Sequence, residues 1–440
     1  MSIEYFALVM LAVVIFIILL GGNVAFSLGG VAVIFGFIFL GGTFVSMITE
    51  RFYTTMTSFQ LEAATLFIFM GVILEGSGLA ERLYKALYVL MGSLKGGLLI
   101  ATLVFAILLG ACTGVSAATV IAIGLIGLPA MLERGYDKSL VSGAICAGGG
   151  LGVVIPPSLV LVLYGPVAGV SIARLFFAAL VPGVILGLAY IAYVSVLCHR
   201  NVNLGPPIPV KERTQVSTKE LLLLFISSVV PVLCLIGAVL GSIFFGIASP
   251  TEAAAVGAIV ALIICAAYGR LNLENLKKML WSTLKTVSFV ILIVLAAGFF
   301  TTIFLGMGGG DLIGQTVLSL QWGRMSIVAL MLFINLIFGM FMDWIGILFI
   351  LIPIFTPLIS AIGVDPLWFG VLFCITLQLS YVTPPFSYSV FFLKGVSPPE
   401  VSLSDIYRGV MPYIPIQIGA LILFIIFPQL CLFLPNFLMG

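Results

Sequence analysis

The sequence predicts an all-α polytopic membrane protein built from two inverted-topology repeats, each with a re-entrant helical hairpin and a broken transmembrane helix. Three observations predict it. The 440 residues are 62% hydrophobic and only 8% charged, with a mean hydropathy of +1.34. No soluble domain hides so much apolar surface, and several runs reach the roughly 20 residues that cross a bilayer. The two halves share a motif at a constant spacing of 228 residues. Lysine and arginine sort to one side of the membrane under a single topology.

The elements follow in order. "MSIEYFALVMLAVVIFIILL" has no basic region ahead of its apolar stretch and no small-residue cleavage site, so it reads as a retained first helix. The first repeat is expected over 1–198, with a hairpin at 97–131 and a broken span at 138–168. The polar stretch "HRNVNLGPPIPVKERTQVSTKE" (199–220) carries three prolines and five Lys, Arg or His residues, and reads as a cytoplasmic linker near the midpoint. The second repeat is expected over 221–440, with a hairpin at 325–360 and a broken span at 366–394. Pro129, Gly135 and Asp137 in "PAMLERGYD" match Pro357, Gly363 and Asp365 in "PLISAIGVD". Pro156-Pro157 match Pro384-Pro385 at the same spacing, and a small shift aligns Gly110 with Gly339.

Charge supports the inversion. With 199–220 inside, tracing outward in both directions leaves 15 of the 18 Lys and Arg on the cytoplasmic side. Arg51, Arg174 and Arg324 then lie outside, as do both termini. The count holds only if each hairpin returns to the side it entered from.

Several function classes drop out. No basic cluster with interleaved aromatics points to nucleic acid. The seven cysteines are scattered singly, without Cys-x-x-Cys spacing or histidine partners, which argues against a disulfide framework or a metal cluster. The sole histidine, His199, reads as interfacial. There is no His cluster, nucleophile elbow or phosphate-binding glycine loop, so no enzyme is expected.

A hairpin that turns inside a membrane must turn within protein or beside water. The first turn falls at Ala111–Ser116, in "LLGACTGVSAATVIAIG" (108–124), and the second at Gly339–Asp343, in "GMFMDW". Unpaired carbonyls at helix C-termini suit Na⁺, and free N–H groups at N-termini suit a carboxylate. The span "CAGGGLGVVIPPS" (146–158) offers Gly148, Gly149, Gly150 and Gly152, whereas its counterpart "ITLQLSYVTPPFS" (375–387) offers Gln378, Ser380, Tyr381 and Thr383. Ion coordination is therefore expected at both breaks, with substrate recognition by side chains near the second. The plainer alternative is that small residues merely let membrane helices pack closely.

Asp343 follows the apolar run "IVALMLFINLIFGMFM" and is expected near the midplane, where an ionisable group is costly and functional by default. Capping the helix that starts "WIGILFI" is the competing role. Glu62 and Glu252 read as helix-start acids. No Lys or Arg falls at either tip, so a substrate anion would be met by helix N-termini and bound cations. That favours cation-coupled symport.

The stretch "GACTGVSAATVIAIGLIGLPAMLERGYDKSLVSGAICAGGGLGVVIPPS" resembles the large, DctM-type membrane subunit of tripartite ATP-independent periplasmic (TRAP) transporters. "ASPTEAAAVGA" (248–258), "FGMFMDWIGILFILIPIFTPL" and "LSYVTPPFSYSVFFLKGVSP" extend the resemblance over nearly the full length. It implies a Na⁺-driven importer of organic acids in a bacterial or archaeal inner membrane, working as an elevator-type transporter on two or more Na⁺. It also implies a small four-helix membrane subunit, expected here as a separate chain, and a soluble periplasmic substrate-binding protein. Carried over, the family's Na⁺ sites point to Thr113, Gly114, Ser116, Gly150, Gly152 and Pro156 for one ion. For another they point to Met340, Asp343, Gln378, Ser380 and Thr383. Ser158, Gln378, Tyr381 and Ser387 are the side chains expected to face substrate. "LFIFMGVILEGSGLAERLYKAL" and "VSPPEVSLSDIYRGVMP" look closer to the branch for 2-oxo and hydroxy acids than to the C4-dicarboxylate or sialic acid branches. A stand-alone Na⁺-coupled carboxylate symporter or Na⁺/H⁺ antiporter of related fold is the alternative.

Overall fold

The computed structural model describes residues 3–208, 218–319 and 321–439, and every regular element among them is helical. Eight helical stretches among them are long and apolar enough to cross a membrane. Residues 209–217 of the expected linker lie outside the described residues.

Helices α1 (Ile3–Leu19), α2 (Val24–Leu40), α3 (Thr43–Met56), α4 (Phe59–Gly76) and α5 (Leu79–Met91) open the chain. They pack with α11 (Thr218–Phe244), α12 (Pro250–Ala267), α13 (Leu273–Gly306) and α14 (Gly309–Ser319), chiefly α4 on α12 and α2 on α13. Glu252, read as a helix-start acid, forms a capping box with Ser249: each side chain accepts from the other's backbone N–H. This outer body packs against an inner one.

The inner body contains α6 (Gly97–Thr113), α7 (Ser116–Leu132), α8 (Lys138–Gly150), α9 (Leu159–Ala168) and α10 (Ile172–Arg200). Its second half contains α15 (Arg324–Phe341), α16 (Trp344–Ala361), α17 (Pro366–Ser380), α18 (Tyr388–Val396), α19 (Leu403–Val410), α20 (Tyr413–Ile426) and α21 (Gln429–Met439). The same local chemistry builds both halves. Asp137 and Asp365 each cap the helix that follows, accepting from Leu140 N at 2.7 Å and from Leu367 N at 2.8 Å. Gly135 and Gly363, at φ +74° and +64°, end the preceding turns in the left-handed region that favours glycine.

Hydrogen bonds fix the direction of each element. Gly96 N, ahead of α6, donates to Gly205 O at 2.8 Å, and Asp137 N, after α7, donates to Leu204 O at 3.2 Å. Both feet of the α6–α7 pair therefore stand on one short segment. Arg324 Nη1, at the start of α15, donates to Gly363 O, beyond the end of α16, at 3.2 Å. The α15–α16 pair is a second hairpin with joined feet.

The feet lie on opposite faces. The α8–α9 span leaves the first pair of feet at Asp137 and reaches the second, where Tyr164 hydroxyl donates to Pro366 O at 3.5 Å. The α17–α18 span starts there, at Asp365, and ends back at the first, where Lys138 Nζ donates to Glu400 O at 3.3 Å. The two broken spans thus run antiparallel, and the repeats are inverted. Lys138 also pairs with Asp405 at 2.9 Å, holding α19 on the foot of α8.

Candidate functional site

Each hairpin tip rests on the break of its own repeat. A Cβ on Gly110 would lie 3.0 Å from Gly152 Cα, and one on Gly339 only 2.5 Å from Ser380 Cβ. Gly152 and Ser380 are themselves 228 residues apart, so the two contacts are equivalent. At the first tip, Gly114 takes φ +64° and its N–H returns to Gly110 O at 2.8 Å. A side chain there would run into Pro157 O and Leu159 N, both within about 3 Å. Gly114 O in turn accepts from Leu159 N at 3.4 Å, so tip and break share backbone hydrogen bonds.

The two tips and the two breaks converge on one small cavity of ≈ 40 Å³. Gly114, Val115 and Ser116 line it from the first tip, Asp343 and Trp344 from the second. Val153 and Val160 face it from the first break, and Tyr381 and Tyr388 from the second. Ser116 Oγ and Tyr381 hydroxyl are buried and make no hydrogen bond among the described residues. At the end of α6 the carbonyls of Ala111, Cys112 and Thr113 accept no hydrogen bond from beyond the helix among the described residues. The space accommodates about one water-sized particle. An organic acid does not fit it, since small-molecule pockets run to about 300 Å³ or more. The side-chain donors in a largely apolar lining are the oxygens of Ser116, Asp343, Tyr381 and Tyr388, and no group of three His, Cys, Asp or Glu side chains comes together among the described residues. This chemistry suits an alkali cation rather than a transition metal.

Asp343 both caps its helix and faces the cavity. Its backbone is extended, its Oδ2 accepts from Ile345 N at 3.3 Å as an N-cap, and the same carboxylate lines the cavity.

Of the other sequence-derived site residues, Gly114, Ser116 and Tyr381 line the cavity, while the rest do not. Thr113 donates to Leu109 O at 3.1 Å and shares a hydrogen bond with Thr119, so its hydroxyl is already engaged. Ser158 closes the first break by donating to Val153 O at 2.7 Å. Ser380 and Thr383 donate back to Leu377 O and Leu379 O. Gln378 lies against Gly150 and donates from Nε2 to the Tyr190 hydroxyl at 3.1 Å, leaving Oε1 unpartnered. Ser387 sits in the left-handed region at φ +49°, fully buried, with its hydroxyl unpartnered. Pro156 and Met340 do not line the cavity. Both Pro-Pro bonds, 156–157 and 384–385, are cis.

Sequence reasoning missed Trp344, Tyr388 and Tyr190. Tyr388 ties the second break to the second tip, donating to Phe341 O at 3.4 Å. The usable signal was modest: two tyrosines seven residues apart flank the second Pro-Pro pair in "SYVTPPFSYS".

Paired hairpin tips facing paired broken helices inside a membrane define a secondary-carrier fold, with the half-helix ends gathered at the centre. The chain belongs to the DctM component family of tripartite ATP-independent periplasmic transporters, whose family model matches residues 10–430. It is a multi-pass transporter permease, not an enzyme. It is similar to the isethionate TRAP transporter permease protein DctMQ of Oleidesulfovibrio alaskensis, at 31% identity over 94% of this chain. This chain spans only 64% of that longer protein. It is also similar to the C4-dicarboxylate TRAP transporter large permease protein DctM of Vibrio cholerae, at 28% identity over 97% of each chain. The fold is similar to that of the YdaH transporter of Alcanivorax borkumensis, with a TM-score of 0.62 over 90% of each chain and 15% identity.

Proposed function

We propose that this chain imports an organic acid across the inner membrane, coupled to Na⁺, as the large subunit of a TRAP transporter. A small membrane subunit and a periplasmic substrate-binding protein would complete it. The observation that carries the reading is the convergence of both tips and both breaks on a cavity of ≈ 40 Å³ that Asp343, Ser116 and Tyr381 face. Asp343, Ser116 and Tyr381 are the groups proposed to meet a cation there. Na⁺ bound at this point would neutralise Asp343 and draw the two tips together, leaving the helix N-termini at Ser116 and Trp344 to favour a substrate anion.

The inner body holds both hairpins and both breaks, whereas the outer body contributes nothing to the lining. An elevator movement of the inner body against the outer one is the proposed transport step. The face carrying Lys138, Arg134 and Lys394 is proposed as cytoplasmic, which leaves both termini periplasmic. The named relatives handle a sulfonate in one case and dicarboxylates in the other, at similar identity. The organic-acid class therefore transfers more readily than a particular member, and a 2-oxo or hydroxy acid remains the finer assignment.

The test is uptake into proteoliposomes containing this chain, the small subunit and the binding protein, with and without an inward Na⁺ gradient. Uptake should require all three proteins and the gradient. Full activity of this chain alone would point to a stand-alone symporter instead.

A further inference from the structure

A second cavity, far larger than the first, lies between the two bodies. It measures ≈ 290 Å³ and is lined by Arg51, Ser58 and Gln60 from the outer body and by Val167, Phe349 and Pro353 from the inner one. This volume is near the lower end of small-molecule pockets. Phe349–Pro353 lie on α16 roughly 9–15 Å from Asp343, toward the feet of the second hairpin. The cavity therefore sits on the face proposed as periplasmic, outward of the tips.

Its polar wall carries a cation without a counter-ion. The Arg51 guanidinium makes no salt bridge or hydrogen bond among the described residues, and its Nε is buried and unpartnered. No Asp or Glu lines the cavity. Gly298 on α13 is what admits the guanidinium: a Cβ there would lie 2.8 Å from Arg51 Nε. Arg51 is partly buried, and of its guanidinium nitrogens only Nε is buried and unpartnered, which leaves the other two open to an anion that enters the cavity.

We propose that this cavity is a loading site for the transported organic anion, with the Arg51 guanidinium holding its carboxylate or sulfonate outward of the hairpin tips. The inference rests on the organic-acid reading and adds a place and a residue to it. A planar fork of N–H donors matches such a group in a bidentate way. The opposite wall, with Leu163, Val167 and Phe349, would cover the apolar part of the molecule. Because the two walls belong to different bodies, movement of the inner body would dismantle the site and release the anion.

The test uses the chain with its small subunit in phosphatidylcholine nanodiscs. Thermal stabilisation is titrated with pyruvate, succinate and isethionate, and with inorganic phosphate as the control for a headgroup site. At least one organic anion should stabilise the wild type, about 10- to 100-fold more weakly in Arg51→Gln, with partial recovery in Arg51→Lys. Val167→Trp, which fills the cavity from the other wall and keeps the charge, should abolish the shift. An unchanged titration in Arg51→Gln, no shift with any of the three anions, or an equal shift with phosphate overturns the proposal. Na⁺-driven uptake measured on the same preparation separates the two readings. If uptake persists and Arg51→Gln leaves its KM unchanged, only the loading site fails.

Discussion

Gly150 and Gln378 are 228 residues apart, occupy the same place in the two repeats, and touch each other. A Cβ on Gly150 would lie 3.0 Å from Gln378 Cγ. Equivalent residues of a pseudo-two-fold pair meet only where the axis passes, so the axis of the inner body runs between them. Beyond that contact the side chain turns to Tyr190 and away from the cavity. Gln378→Met removes one buried hydrogen bond, worth about 0.5–1.5 kcal/mol, and also removes the unpartnered Oε1, which offsets part of the loss. The expected outcome is a small change in detergent melting temperature and an unchanged Na⁺ dependence of uptake. A steep loss of Na⁺ affinity at unchanged stability would instead make Gln378 an ion ligand.

Asp343 is expected to behave differently. Asparagine caps a helix about as well as aspartate, so Asp343→Asn keeps the N-cap to Ile345 and should cost little stability. It removes the carboxylate charge facing the cavity. Uptake measured against Na⁺ concentration should show apparent affinity falling about tenfold or more, with the protein still folded by melting. If neither rate nor Na⁺ affinity moves, the residue serves only as a cap.

How legible this was in the sequence depended on what each residue does. Pro156-Pro157, Pro384-Pro385, Asp137 and Asp365 act through their own backbone neighbourhood, so a fixed spacing exposed them and the inverted repeat with them. Asp343 stood out because an acid after an apolar run is rare. The tips and breaks were legible as regions for the same reason. Which side chains face the centre was not. Thr113 and Ser116 look alike in "CTGVSA", yet a hydrogen bond to Thr119 engages the first hydroxyl, and the second is left free. That distinction depends on helix phase. Arg51 was read only as one of three cations on the outer side, since its burial against Gly298 depends on packing between distant segments.

The contact between Gly110 and Gly152 gives the third prediction. Backbone faces backbone, with a Gly110 Cβ at 3.0 Å from both Cα and N of Gly152, so no flexible atom can give way. Alanine gains at most about 1 kcal/mol in helix propensity. The overpacking costs about 1–3 kcal/mol and should win. Gly110→Ala is expected to lower the melting temperature and uptake together. Gly30→Ala is the control, because its Cβ meets nothing within 4 Å. Equal melting temperatures for the two variants would mean that tip and break are not in contact in the dominant state.

Inversion of the two hairpins makes the last prediction, and it is independent of substrate. Glu133 follows α7 beside the first pair of feet, and Ser360 ends α16 beside the second. Both side chains are exposed and neither carries a hydrogen bond from another element, so a cysteine at either is tolerated. Cys234 is exposed and is replaced by serine first, while the other six cysteines are buried and react poorly. In right-side-out vesicles, a membrane-impermeant maleimide should label Ser360→Cys at once and Glu133→Cys only after the membrane is opened with detergent. Inside-out vesicles should reverse the pattern. A single crossing by residues 97–131 would put the two feet of the first hairpin on opposite sides, so the control pair there is Lys95→Cys and Glu133→Cys. These two should label together in every preparation. If they separate, residues 97–131 cross the membrane once, and the inverted repeat does not survive.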